Sequence, residues 1–187
     1  AAGHASPRDD AALRMVLKGI RRTVGAAQRE AAPLLAEQLR RMVTALPVGS
    51  LAGLRNRALL LCGFCGAFRR SELVGLELRD VAFTPEGVEV TIRRSKTDQE
   101  GRGRLMALPY SGSLEFCPVR SLKSWLEAAR ITVGPVFREV SRHAQVAASP
   151  LTGRSLSRIV KKAACAAGLD PSAFSGHSLR AGFVTQA

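Results

Sequence analysis

Apolar residues recur at helical spacing through most of this chain, and proline, serine and glycine residues punctuate the pattern. The third apolar segment is apolar on almost every side in its second half, which predicts a central, buried helix. The spacing predicts helices over Asp10–Arg22, from Pro33 to Pro47, over Leu54–Ala67, from Pro118, over Arg154–Ala167 and from about His177. Ser71 is the predicted N-cap of one further short helix that runs through Leu76.

The pattern changes to a period of two after these first helices. Val88, Val90 and Ile92 alternate with polar residues, which predicts a half-buried antiparallel strand. Arg104–Leu108 is the predicted return strand, and the polar, glycine-containing segment Lys96–Gly103 is the loop between the two. The whole pattern predicts an α+β fold that is mostly helical and contains one small antiparallel sheet.

Composition adds a partner class to this fold. The 187 residues contain 28 Lys and Arg against 15 Asp and Glu, a formal charge of +13. Such a surplus attracts polyanions, and its spread over helices, strands and loops favours nucleic acid over a membrane surface. The longest apolar run, Ala58–Phe68, is too short to cross a bilayer.

Four cysteines raise the question of a redox or zinc site. Cys62 and Cys65 form a C-x-x-C pair, but the pair lies within an apolar helical run, whereas Cys117 and Cys165 are isolated. A structural zinc site usually needs a second close pair of ligands. We therefore interpret the cysteines as small apolar residues in a reducing compartment, and we expect no metal.

Four cationic or proton-carrying side chains stand in three separate segments that suit phosphate chemistry. Arg69 follows the buried helix, Lys96 lies in the hairpin loop, and His177 and Arg180 share a helix face because they are three residues apart. Each of them alone is equally typical of a solvated surface cation or a helix cap. Together they supply two arginines for the equatorial oxygens of a phosphoryl transition state, a histidine for the same phosphate and a lysine that protonates a leaving alkoxide.

The order and context of these segments resemble the catalytic domain of the tyrosine recombinases, the phage integrase family. Gly66–Leu73 matches the family's Gly-x-x-Arg-x-Ser-Glu-Leu type motif, Ser95–Thr97 matches its lysine turn, and His177–Arg180 matches its His-x-x-Arg box. The resemblance covers Pro33–Ala187. It implies that Glu72 supports the first arginine and that the catalytic residues are Arg69, Lys96, His177 and Arg180.

The resemblance also implies a function and a setting. It implies a site-specific recombinase or integrase that cleaves and rejoins double-stranded DNA through a 3′-phosphotyrosyl intermediate, without a metal or nucleotide cofactor. Family members act as tetramers on paired DNA sites, so we expect self-assembly, and we expect a cytoplasmic, nucleoid-associated location of prokaryotic or phage type. Residues 1–27 correspond to the end of a helical core-binding domain plus a linker, and residues 28–187 to the catalytic domain.

One departure from the family concerns the nucleophile. The family continues past the His-x-x-Arg box to a tyrosine, whereas this chain ends at Ala187 and its only tyrosine, Tyr110, precedes the box. We expect Tyr110 to be structural, the catalytic domain to be incomplete at its C-terminus, and these residues to bind DNA without forming the covalent link. Two alternatives stay open: a non-catalytic basic DNA-binding module and a type IB topoisomerase-like relaxing enzyme.

Overall fold

The computed structural model describes residues 10–23, 31–93 and 103–186, and the chain divides into two compact units, residues 1–30 and 31–187. The helices are α1 (Ala11–Thr23), α2 (Ala36–Thr44), α3 (Leu51–Cys65), α4 (Arg70–Val74), α5 (Pro118–Ala128), α6 (Gly153–Ala166) and α7 (Ser178–Gln186). The strands are β1 (Val81–Phe83), β2 (Gly87–Ile92), β3 (Arg104–Pro109), β4 (Arg138–Val140) and β5 (Val146–Pro150). This α+β arrangement confirms the predicted fold class.

The first unit contains α1, at the position that the apolar spacing predicts. The side chain of Asp10 caps its N-terminus, since Oδ1 accepts a hydrogen bond of 2.8 Å from the backbone N–H of Ala12. Leu13, Met15 and Val16 of this helix are exposed. The second unit contains every other helix and both sheets.

Helix α3 is the centre of the second unit. Ala58, Leu59 and Leu60 are each fully buried at 0% exposure, and because consecutive helical residues point in different directions, other elements must surround α3. Those elements are chiefly α5 and α7. The predicted burial of α3 is confirmed, but the helix begins at Leu51 because the Ser50 hydroxyl caps it by accepting a bond from the Gly53 N–H at 3.0 Å.

The alternating segment forms the middle strand of a three-stranded antiparallel sheet, in the order β1-β2-β3. Val88, Val90 and Ile92 are buried, as their alternation predicts, and β3 pairs with β2 over its whole length. The expectation of one sheet was wrong in number, because β4 and β5 form a second, two-stranded sheet. β1 and β4 are only three residues long, too short for a period of two to stand out in the sequence.

Two further sequence expectations meet different outcomes. The prediction that Ser71 caps a short helix through Leu76 was wrong, since α4 runs over Arg70–Val74 and its N-cap is Arg69, two residues before Ser71. Cys62 is buried in the core, as interpreted, and burial raises the pKa of its thiol, which makes it a poor nucleophile or metal ligand. Within the described ranges, no group of three or more His, Cys, Asp and Glu residues could hold a metal, and no helix is long and apolar enough to cross a membrane.

Helix α7 lies directly against the chain segment that precedes α2. The backbone N–H of Leu34 donates to the carbonyl of Ser178 at 3.0 Å, and Leu34 itself is fully buried. One turn further along α7, a Cβ added at Gly182 would collide with the carbonyl oxygen of Leu34. Only glycine therefore permits α7 to pack this closely.

We expect Gly182→Ala to lower the free energy of unfolding by about 3 kcal/mol, because the added methyl group forces α7 away from Leu34. Alanine at a helix position without this collision would instead raise stability by roughly 1 kcal/mol. Chemical denaturation of both proteins measures the sign. Gly112→Ala is the matched control, since a Cβ there meets no atom within 4 Å; an unchanged or more stable Gly182→Ala protein would contradict the packing.

Candidate active site

The turn after α3 presents Arg69. The chain passes through Ala67 with a positive φ of 44° and then buries Phe68, which is 1% exposed. A Cβ at Gly66 would collide with the Phe68 ring, so glycine at position 66 lets this ring fold back on the end of α3. Arg69 follows as the N-cap of α4, on a segment that Phe68 anchors from below.

Glu72 holds Arg69 in place from the first turn of α4. The Arg69 guanidinium Nη1 donates to Glu72 Oε1 at 2.8 Å, and the Arg69 backbone N–H donates to Oε2 at 2.8 Å. The Glu72 side chain is only 2% exposed, whereas that of Arg69 is 29% exposed. A buried carboxylate therefore fixes both the backbone and the side chain of an arginine that still reaches the surface.

A second arginine shares the same carboxylate. Nη2 of Arg104, the first residue of β3, donates to Glu72 Oε2 at 3.1 Å. Burial acts to raise the pKa of the Glu72 carboxyl, but the hydrogen bonds from Arg69 and the charges of Arg104 and Arg69 outweigh burial and hold this pKa below its ordinary value of 4.5. Glu72 is therefore ionised at neutral pH. Sequence reasoning missed Arg104, because nothing local marks a contact with a residue on α4.

Arg180 joins this group from the far end of the chain. Its Nη1 donates to the carbonyl oxygen of Ala67 at 2.8 Å, across 113 residues of sequence. Ala67 stands two residues before Arg69, so the fold brings the two predicted arginines to the same turn. Leu179, which is 1% exposed, packs the preceding position of α7 against Gly63 of α3.

His177 precedes α7 by one residue, close to the predicted helix start. It is exposed, its backbone N–H donates to the Ser175 hydroxyl at 3.2 Å, and its carbonyl accepts from the Ala181 N–H at 3.1 Å. It thus lies one helical turn before Arg180, on the same side of the helix. His177 is exposed at the N-terminal end of the helix that carries Arg180.

Arg70 follows Arg69 in the sequence but its side chain takes a different course, and Lys96 is the remaining predicted site residue. The Arg70 side chain runs past Gly153 and Gly176, since Cβ atoms built there would lie 3.2 Å from its Nε and 3.1 Å from its Cδ. It therefore occupies the space between the start of α6 and the turn before His177, apart from the Glu72 carboxylate. Lys96 lies outside the described residues, so its place in the site stays a prediction.

Tyr110, the only tyrosine in the sequence, lies at the other end of β3 from Arg104. Six residues of extended strand correspond to about 20 Å. The Arg120 guanidinium stacks over the Tyr110 ring at 5.2 Å from its centroid. This tyrosine is 40% exposed and contacts Arg120 of α5, at the opposite end of β3 from the contact between Arg104 and Glu72.

The sequence of this chain matches a known protein family. The family model for the phage integrase family matches residues 33–186. An integrase/recombinase xerD homolog from Selenomonas ruminantium is 44% identical over 185 residues, which are 99% of this chain and 54% of that protein. A tyrosine recombinase XerD from Xanthomonas axonopodis pv. citri is 30% identical over 155 residues, 81% of this chain and 48% of that protein. The chain spans about half the length of the curated relatives it matches.

Solved structures show the same fold. The XerH site-specific recombinase bound to its difH substrate superposes with a TM-score of 0.60 at 19% identity, over 83% of this chain and 42% of that chain. The XerA recombinase gives a TM-score of 0.60 at 19% identity, over 83% and 48%. A lambda integrase fragment, a dimer bound to a core site, gives 0.53 at 16% identity, over 82% and 51%.

We expect Glu72→Gln to lower the free energy of unfolding at pH 7 by about 2 kcal/mol, because two arginines lose their buried anion. The folded-state pKa is lowered, so this contribution is complete above the unfolded-state pKa of 4.5 and is lost as the pH falls through the folded-state value below it. Thermal unfolding of both proteins between pH 7 and pH 3 measures the difference.

The exposed carboxylate of Glu89 on β2 supplies the control. Glu89→Gln should stay within about 0.5 kcal/mol of the parent protein at every pH. A Glu72→Gln deficit that does not shrink in acid would show that the carboxylate's charge is not what stabilises the turn.

Proposed function

This chain belongs to the phage integrase family, and we propose that it forms the catalytic part of a site-specific DNA recombinase that cleaves and rejoins DNA strands. The observation that carries the proposal is the hydrogen bond from Arg180 to the Ala67 carbonyl, beside the Arg69–Glu72 pair. It brings the two arginine segments to one turn, which supports a shared site. In this proposal residues 28–187 are the catalytic domain, and residues 1–27 end a core-binding domain and link it to the site.

The chemistry follows from the charges. A tyrosine hydroxyl attacks the scissile phosphorus, a 3′-phosphotyrosyl link forms, and the 5′-oxygen of the DNA leaves as a hydroxyl. Arg69 and Arg180 donate hydrogen bonds to the phosphate oxygens, which gain charge in the transition state. His177 binds the same phosphate, and Lys96 protonates the leaving oxygen. Attack by a 5′-hydroxyl of a second strand reverses the step and rejoins the DNA, with no metal or nucleotide required.

The attacking tyrosine in this mechanism is not Tyr110. The ring lies under Arg120 at the opposite end of β3, and about 20 Å of strand separate it from Arg104, which contacts the site. We therefore propose that residues 1–187 bind DNA without forming the covalent link by themselves. Tyr110→Phe should leave DNA binding unchanged, in keeping with a packing role.

Double-stranded DNA is the proposed partner, and we propose that exposed cations on α6 also bind it. The N-terminus of α6 lies beside Arg70 and the turn before His177. Its exposed cations Arg154, Arg158 and Lys161 are spaced four and three residues apart, so they form one stripe along the helix. A stripe of this kind neutralises successive phosphates of a DNA backbone.

Self-assembly and location are part of the same proposal. The lambda integrase fragment is a dimer on its core site, and XerH was solved on its DNA substrate. We propose that this protein likewise assembles on paired DNA sites, as a tetramer, in the cytoplasm. Assembly on DNA places two cleaved strands close enough to exchange 5′ ends.

We expect a crystal soaked with sulfate or orthovanadate to hold one oxyanion within about 3 Å of the Arg69 and Arg180 guanidinium groups, with His177 at its edge. In calorimetry, Arg69→Met and Arg180→Met should each weaken orthovanadate binding about tenfold, the value of a charge-assisted hydrogen bond. Arg120→Met is the control, since Arg120 stacks on Tyr110. An oxyanion bound equally well by all three variants would favour a basic module without a catalytic site.

We expect the affinity for a DNA duplex to fall steeply with salt, because binding releases condensed counterions. Lys161→Ala should weaken binding and reduce the slope of log K against log salt by about 0.9, the loss of one phosphate contact. Lys123→Ala removes an exposed lysine from α5 and should leave the slope unchanged. Equal slopes for both variants would indicate that α6 does not contact the DNA backbone.

A further inference from the structure

We propose that Arg104 is a positioning residue for Arg69, acting through the carboxylate of Glu72. The inference rests on the proposed function, since Arg69 matters only where a phosphate binds. Arg104 does not belong to the four residues that the family motifs mark. Its role follows from the contacts and charges around Glu72.

Arg104 is the first residue of β3 and lies on the inward-facing side of the sheet. Side chains of a strand alternate between its two faces, so Arg104 shares a face with Met106 and Leu108. Leu108 is 1% exposed and Met106 packs against the core. Arg104 is therefore a partly buried cation at the end of an inward-facing row, where an anionic partner offsets the cost of burial. The partner is Glu72, on a different element.

The two oxygens of the Glu72 carboxylate accept different hydrogen bonds. Oε1 of Glu72 accepts from the Arg69 side chain, whereas Oε2 accepts from both the Arg69 backbone and Arg104. Arg104 thus fixes the rotation of the carboxylate about its terminal bond, which in turn fixes the oxygen that aligns Arg69. Loss of Arg104 leaves the backbone N–H of Arg69 as the one described donor to Oε2.

The charge of Arg104 also affects how strongly Arg69 attracts a phosphate. An arginine paired one-to-one with a buried carboxylate forms a neutral unit and loses much of its attraction for a phosphate. Two arginines on one carboxylate leave a net charge of +1, so Arg69 keeps its cationic field while its position is held. Arg104 supplies this second charge from a side chain that is 37% exposed.

The burial of Arg104 leaves one of its own donors unsatisfied within the described part of the chain. Its Nε is buried and has no hydrogen-bond partner among the described residues. A buried donor left unpaired costs about 1–3 kcal/mol. The contact with Glu72 is what the guanidinium supplies at this position.

The test compares Arg104→Met, Arg104→Gln and Arg104→Lys in this chain, with orthovanadate as the probe in calorimetry. Methionine and glutamine remove the charge, and we expect about fivefold weaker binding for each; lysine keeps the charge and should bind within about twofold of the parent. If the methionine variant does not fold, the contrast between glutamine and lysine carries the same information. Equal binding by the glutamine and lysine variants would overturn the proposal.

Arg93→Met is the matched control. Arg93 lies one residue beyond β2 and pairs with Asp80, another carboxylate that is largely buried. The variant loses the same charge from the same sheet but does not touch Glu72, so we expect orthovanadate binding close to that of the parent. A fivefold loss of orthovanadate binding in this control would show that the effect of Arg104 comes only from the change in total charge. That result would contradict the proposal.

A double-mutant cycle separates positioning from direct contact. If Arg104 acts through Arg69, adding Arg104→Met to Arg69→Met should weaken binding no further. Additive losses would show that Arg104 touches the oxyanion itself and would overturn the positioning role. If Arg69→Met alone binds as the parent does, the proposed function fails; if Arg69 matters and Arg104 does not, only the present inference fails.

Discussion

Arginine side chains that lie close together repel each other, and the turn that carries Arg69 depends on a single buried anion. Glu72 supplies that anion. Its carboxylate is only 2% exposed and contacts Arg69 and Arg104, from α4 and β3. Glu72 holds Arg69 through both its backbone and its side chain, so the position of Arg69 is set within the protein itself. Donors that are positioned in advance in this way are the physical basis of electrostatic catalysis.

Other parts of the second unit bring α7 and β3 to the segment around Arg69. The buried helix α3 ends in a turn whose carbonyl at Ala67 accepts the Arg180 guanidinium, and α7 reaches that turn because Gly182 allows close contact with Leu34. The β2–β3 pair places Arg104 at Glu72. Contacts from α7 and β3, which are remote in sequence, thus reach Ala67 and Glu72, on either side of Arg69 in the chain.

The family assignment and the geometry support each other at different levels. The match over residues 33–186 gives the family, and superpositions at less than 25% identity give the fold alone. Neither gives the contacts of individual side chains in this chain. Those contacts show that Arg69 and Arg180 share one turn, whereas Tyr110 packs under Arg120 at the other end of β3.

The sequence by itself determined the fold class, the buried helix α3 and the β2–β3 pair, and it indicated the residues that we propose for the phosphate chemistry, because periodicity and motif spacing are local properties. The cap of α4, the short strands β1 and β4 and the contact of Arg104 with Glu72 depended on tertiary structure. Glu72 binds the Arg69 backbone and so moves the helix start away from Ser71. Arg104 meets Glu72 across 32 residues, a contact that packing alone creates and that no local pattern records.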